Sequence, residues 1–233
     1  MDDQNIEPVE LKRRMYEKLR DEMEYLMAQA SEPLGTFLQM MMHGYQIENV
    51  VSLMSGKKGN VVAQAMSMNP LGQFQGFDAI QKLASSADSN MVEMFQDILI
   101  DMPVGEYFRK YIDKIAKGAQ EDQDRSGRLE MAQIAEKLNT YSSAEQLVAL
   151  KKIWITEFHR WIMTNCEETT KEHMDELLKA ESDWETLQIV YNSLSAGGGG
   201  ANKEDYKKYY NNLGHLYPGR VGPISDSKDY PEL

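Results

Sequence analysis

A single cysteine in 233 residues, Cys166, excludes an intramolecular disulfide framework and any zinc site built on cysteines. Long apolar runs are missing too. The greasiest stretch, Pro33 to Met54, is interrupted by Gln39, His43, Gln46, Glu48 and Asn49, whereas a membrane span needs about 20 predominantly apolar residues. Positive charge is scarce: 25 Lys and Arg face 37 Asp and Glu, leaving a formal charge of -12 that repels a phosphate backbone at long range. No basic run exceeds Lys12-Arg13-Arg14, so general nucleic-acid binding is disfavoured. The first ten residues, MDDQNIEPVE, lack the apolar core of a secretory signal. What remains is an ordinary globular composition, 42% hydrophobic and 27% charged, long enough to bury a sizeable core. The expectation is a soluble protein of a reducing compartment, with partners as its route to a membrane surface.

The chain reads as helices joined by turn punctuation. Leu11, Met15, Leu19, Met23 and Met27 recur every four residues, which predicts an amphipathic helix ended by Ser31-Glu32-Pro33. A second helix is expected from Pro33 to Met54, apolar on most of its circumference and so central or facing another subunit. Within it the Met40-Met41-Met42 triplet cannot share one face, so one of the three is expected against a neighbouring helix or subunit. Asn69-Pro70-Leu71-Gly72 marks a turn, followed by helices around 77–83 and 91–100. After Met102-Pro103, Val104 to Lys117 resumes helix with Tyr107, Phe108, Tyr111, Ile112 and Ile115 inward. Helices are further expected at 129–138, 144–165, 169–178 and 184–194. No alternating stretch argues for a sheet and no short repeat for a solenoid, so the fold class is all-α. Residues 1–233 read as one helical region, with a charged connector at 118–128, a glycine loop at 196–202 and an irregular tail at 214–233.

One segment carries metal-like chemistry. Asp122, Asp124 and Ser126 occupy the first, third and fifth positions of an EF-hand calcium loop, and Gly127 supplies the sixth-position turn. The twelfth position should be a bidentate glutamate, and Gln133 offers one neutral carbonyl there. The plainer alternative is an acidic connector with Ser126 as a helix N-cap. Four scattered histidines, His43, His159, His173 and His215, lack partners at ligand spacing; His159 and Cys166 read more simply as a helix histidine near a core thiol than as a nucleophilic pair. Ser55-Gly56-Lys57-Lys58-Gly59 and the glycines at 197–200 lack the P-loop ending and are loops. No catalytic constellation and no cofactor site emerges.

Five segments in order carry a resemblance. They are Glu32-Pro33-Leu34 with Phe37, Tyr45 and Asn49-Val50-Val51; Asn69-Pro70-Leu71-Gly72-Gln73-Phe74; Asp97 to Phe108, containing Asp101 and Pro103; Glu181-Ser182-Asp183 with Tyr191-Asn192-Ser193; and Leu213-Gly214-His215-Leu216-Tyr217-Pro218. Together they resemble the subunit d family of vacuolar-type proton-pumping ATPases (V-ATPases), which has a related counterpart in archaeal rotary ATPases. Members of that family are longer at both ends; the stretch Lys114 to Leu147 looks expanded, and Asp183-Trp184-Glu185 stands in place of the family's DRR. The resemblance implies an all-helical, funnel-like subunit of similar helical units, here a partial one. It implies a non-catalytic rotor part of the membrane sector, coupling the central stalk to the proteolipid c-ring for ATP-driven proton transport. Its place would be peripheral, on the cytoplasmic face of an acidic endomembrane compartment such as a vacuole or lysosome. The competing reading is a calcium-responsive helical adaptor resting on the loop at 122–133.

Overall fold

The computed structural model describes residues 7–55, 68–73, 102–121, 140–195 and 206–227. Among them there are six α-helices, one 3-10 turn and no strand, so the chain is all-α. None of these helices is long and apolar enough to cross a membrane. The chain divides into two compact units, Met1–Leu150 and Lys151–Leu233.

In the first unit, α1 (Pro8–Gln29) starts with proline in its first turn, where the missing N–H costs nothing. Along it, Glu10–Arg14 (2.8 Å) and Arg13–Glu17 (3.0 Å) pair across single turns, each contributing a few tenths of a kcal/mol. Ala30 leaves the helix in extended conformation, and a cis Glu32–Pro33 bond leads into α2 (Leu34–Ser55). The four-residue stripe expected on α1 does not become its buried face. Leu11, Met15 and Leu19 are exposed while Met23 and Met27 are half-buried, and α1 buries no residue fully. A strict period of four drifts about 40° per step around a 3.6-residue helix, so five such residues cannot share one face. The residues turned toward the protein are instead Arg13, Tyr16, Glu17, Arg20, Met23 and Met27.

α2 is the core of this unit, with Met42, Ile47, Val50, Val51 and Leu53 buried. Of the methionine triplet, Met42 is buried and Met41 exposed. α1 and α2 both pack on the 3-10 turn Pro70–Gly72, all three residues of which are buried. α3 (Gly105–Glu121) buries Tyr107, Phe108, Tyr111 and Ile112, the face expected from the sequence. It runs past Gly118, where the sequence predicted a connector, because one glycine near a helix end costs only about 1 kcal/mol relative to alanine.

α4 (Ser143–Asn165) opens on a reciprocal cap. The Ser142 hydroxyl accepts from the Glu145 N–H (3.3 Å), and the Glu145 carboxylate accepts from the Ser142 N–H (2.8 Å). The boundary between the two units falls inside this helix. In the second unit α4 buries Ile153, Ile155, Phe158 and Ile162. Two residues later α5 (Glu168–Ser195) begins and runs unbroken, where the sequence predicted two helices with a gap at 179–183. Leu178, Ser182, Thr186 and Val190 form its buried seam. The two hydroxyls vanish into the ladder: Ser182 donates to the Leu178 carbonyl (2.8 Å) and Thr186 to that of Ser182 (3.0 Å). In the expected irregular tail, Val221–Asp226 forms a short helix, α6, which packs on α5.

Of the sequence expectations, helices at 77–83, 91–100 and 129–138 and the glycine loop at 196–202 lie outside the described residues, as does most of the connector at 118–128.

Candidate functional site

The motif residues of the first unit converge on the 3-10 turn. Asn49, on α2, grips the peptide of Asn69 from both sides: its amide donates to the Asn69 carbonyl (2.8 Å), and its side-chain oxygen accepts the Asn69 N–H (3.0 Å). Asn69 in turn caps the Leu71 N–H with its own side chain (3.0 Å). Gly72 lies against α2 so closely that a Cβ would come within 2.3 Å of the Tyr45 carbonyl oxygen and 2.5 Å of the Asn49 Nδ2. At Gly72 the turn thus docks backbone to backbone on α2, with Pro70 buried beside it. Phe37 is half-buried and Leu34 exposed, so these two motif positions stand away from the clamp.

The next motif segment supplies Phe108, fully buried, and the neighbouring Tyr107, whose hydroxyl meets His43 Nδ1 at 2.9 Å. Ring centroids 5.5 Å apart at 68° add an edge-to-face contact. Burial pulls the His43 pKa down from 6.5 to about 4, with nearby Glu106 opposing, because the imidazolium would lose its hydration on the buried face of α2.

The second unit has its own clamp. The Asp183 carboxylate, on α5, accepts the backbone N–H groups of His215 (3.0 Å) and Leu216 (2.9 Å), and a Cβ at Gly214 would collide with it. Two motif segments that are separate in sequence therefore close on one carboxylate. Tyr217 and Pro218, joined by a cis bond, remain exposed beyond this loop. Asp183→Ala is expected to cost about 2 kcal/mol, since two backbone donors lose a charged acceptor; Asp183→Asn should cost about half as much. Urea unfolding followed by tryptophan fluorescence measures this, because Trp154, Trp161 and Trp184 all lie in this unit.

His159 is committed to α5: its Nε2 is 2.8 Å from Asp175, whose other oxygen takes Lys179. Those hydrogen bonds, Lys179 first, hold the Asp175 carboxyl below its ordinary range. Burial raises the Cys166 thiol, with Lys171 countering, which keeps it protonated rather than nucleophilic.

A cleft of about 400 Å³ opens in the first unit where α1 faces α2. Arg20, Glu24 and Met27 contribute one face of α1, at intervals of four and three residues. Gly35, Gln39, Met42 and Gln46 contribute one face of α2, at intervals of four, three and four. Glu32, a motif residue, and Pro103, another, stand at its edges beside Gln73. Arg20 is held in place: it donates to Gln73 Oε1 (2.7 Å) and to Asp21 Oδ1 through Nε (3.1 Å) and Nη2 (2.7 Å). The sequence reading missed this cleft apart from Glu32 and Pro103. The signal was present as glutamines seven residues apart on an otherwise greasy helix.

Asp101 and the calcium-like set Asp122, Asp124, Ser126 and Gln133 lie outside the described residues. Among the described residues no group of His, Cys, Asp and Glu is arranged to hold a metal ion.

Comparison with known proteins places these features in a family context. The family described as ATP synthase (C/AC39) subunit matches residues 1–233. A probable V-type proton ATPase subunit d of Oryza sativa subsp. japonica is 33% identical over 206 residues, covering 86% of this chain and 49% of that protein. V-type proton ATPase subunit d1 of Arabidopsis thaliana is 31% identical with the same coverage. V-type proton ATPase subunit d of Dictyostelium discoideum is 27% identical over 218 residues, 93% of this chain and 53% of that protein. The chain spans about half the length of the curated relatives it matches.

Proposed function

The chain belongs to the ATP synthase (C/AC39) subunit family, and on that premise we propose that it is a non-catalytic rotor subunit of a vacuolar-type proton-pumping ATPase. In this reading it sits peripherally on the cytoplasmic face of an acidic endomembrane compartment. There it joins the central stalk to the proteolipid ring, so that rotation driven by ATP hydrolysis reaches the ring that moves protons. The observation carrying the proposal is the family match along residues 1–233. The use of the motif residues is consistent with it: Asn49, Gly72 and Gly214 are spent on holding turns against helices, and Phe108 is buried in the core. A socket that passes torque needs stiffness rather than bond chemistry, and helices packed at interior density resist compression.

The test is native co-purification. The tagged chain, recovered from mild-detergent membrane extracts, is expected to bring proteolipid and central-stalk subunits in comparable amounts, read by mass spectrometry. Recovery of the chain as a free monomer from intact cells would sink the rotor assignment.

A further inference from the structure

We propose that the cleft between α1 and α2 is a binding site for an alkylammonium or alkylguanidinium group, the side-chain chemistry of lysine and arginine. Its lining presents two carboxylates, Glu24 and Glu32, against one guanidinium, and that guanidinium is already bound by Asp21 and Gln73. Glu32 has no hydrogen bond or ion pair among the described residues, and Glu24 has only a 3.9 Å approach to Arg20. Gln46 is 93% buried, being 7% exposed, and its Oε1 accepts no hydrogen bond. A buried carbonyl left without a donor costs about 1–3 kcal/mol, so an incoming N–H group there recovers that loss.

The apolar part of the lining completes the match. Met27, Met42 and Pro103 border the same space, and a basic side chain carries an aliphatic stem that buries against such surface while its head reaches polar groups. A volume of about 400 Å³ holds one such side chain with accompanying water. An anion is disfavoured by the two carboxylates, and a purely apolar ligand would leave Gln46 and Glu32 desolvated without partners. The cleft's chemistry is independent of the complex that the chain enters.

Two sources share this chemistry, a partner polypeptide and a free polyamine, and titration of the full chain separates them. Side-chain amide signals of Gln39, Gln46 and Gln73 in nitrogen-edited proton spectra report occupancy. The probes are acetyl-Ala-Arg-Ala-amide, spermidine, and acetyl-Ala-Glu-Ala-amide as the acidic counterpart. Saturable shifts are expected with the arginine peptide or spermidine and none with the glutamate peptide. Stronger binding of the peptide assigns the site to a polypeptide, and stronger binding of spermidine to a free polyamine. Glu32→Gln and Glu24→Gln, both at exposed positions, should each weaken binding roughly tenfold, as removal of a charged hydrogen bond does. Absence of saturable shifts up to about 10 mM, or binding unchanged in both variants, overturns the proposal.

Discussion

Gly72→Ala is expected to destabilise the first unit by about 3 kcal/mol, although the substitution adds one methyl group. The added Cβ would come within 2.3 Å of the Tyr45 carbonyl oxygen and within 2.5 Å of the Asn49 amide nitrogen. Neither neighbour yields cheaply. The carbonyl belongs to the α2 backbone, and the amide is already engaged with both polar groups of the Asn69 peptide. Moving the turn outward relieves the overlap but breaks those two hydrogen bonds and opens the contact that buries Pro70 and Leu71. Overpacking costs about 1–3 kcal/mol, and the stranded buried amide adds about 1–3. Hydrogen exchange should localise the effect: α2 amides that open through unfolding of this unit should exchange on the order of a hundredfold faster. Asn49→Ala alone should cost about 2 kcal/mol through the unpaired Asn69 peptide. The double variant should cost less than the sum, because Asn49 is one of the two groups the methyl strikes. Unchanged α2 exchange in Gly72→Ala would refute the close docking of the turn.

The sequence showed that Asn69 to Gly72 turns, but not why glycine stands at the end of it. Glycine is usually read as conformational freedom, whereas here the requirement is the approach of another backbone, that of Tyr45, 27 residues earlier in the chain and found only after folding. The same holds for Gly214, whose neighbour is the Asp183 carboxylate. Helical periodicity was readable where apolar residues fill one face, as Tyr107, Phe108, Tyr111 and Ile112 do on α3. It misled in two ways. On α1 a period of four mimicked a stripe that the helix does not align, and on α5 the buried seam uses Ser182 and Thr186, whose hydroxyls satisfy themselves and so escape a hydrophobic count. The cleft was hidden for a related reason: its polar residues look like solvated surface until α1 and α2 are set side by side.

Acidification should weaken the first unit through His43. In the folded chain its pKa lies near 4, below the ordinary 6.5, so the folded state prefers the neutral ring. The unfolded chain takes up a proton as pH falls through 6.5, while the folded chain resists until about 4. The stabilisation is therefore complete above pH 6.5 and is lost progressively as pH falls toward 4. At one decade per 1.36 kcal/mol, the loss reaches about 2 kcal/mol at pH 5 and about 3 kcal/mol below pH 4. Geometry explains the resistance. Nδ1 faces the Tyr107 hydroxyl, and Nε2 is buried without a hydrogen-bond partner, so a charged ring would hold one proton against no acceptor. Glu106 offers partial compensation through space and does not bring the pKa back to its ordinary value. Carboxylates titrate over the same range, so the measurement is a difference: urea unfolding from pH 7.5 to 4.5 for the parent chain and for His43→Phe, which keeps an aromatic ring against Tyr107. The variant should lose about 2 kcal/mol less than the parent between pH 7 and pH 5. Parallel pH profiles for the two proteins would mean that His43 is solvated or charged in the fold, contrary to its burial on α2 against Tyr107.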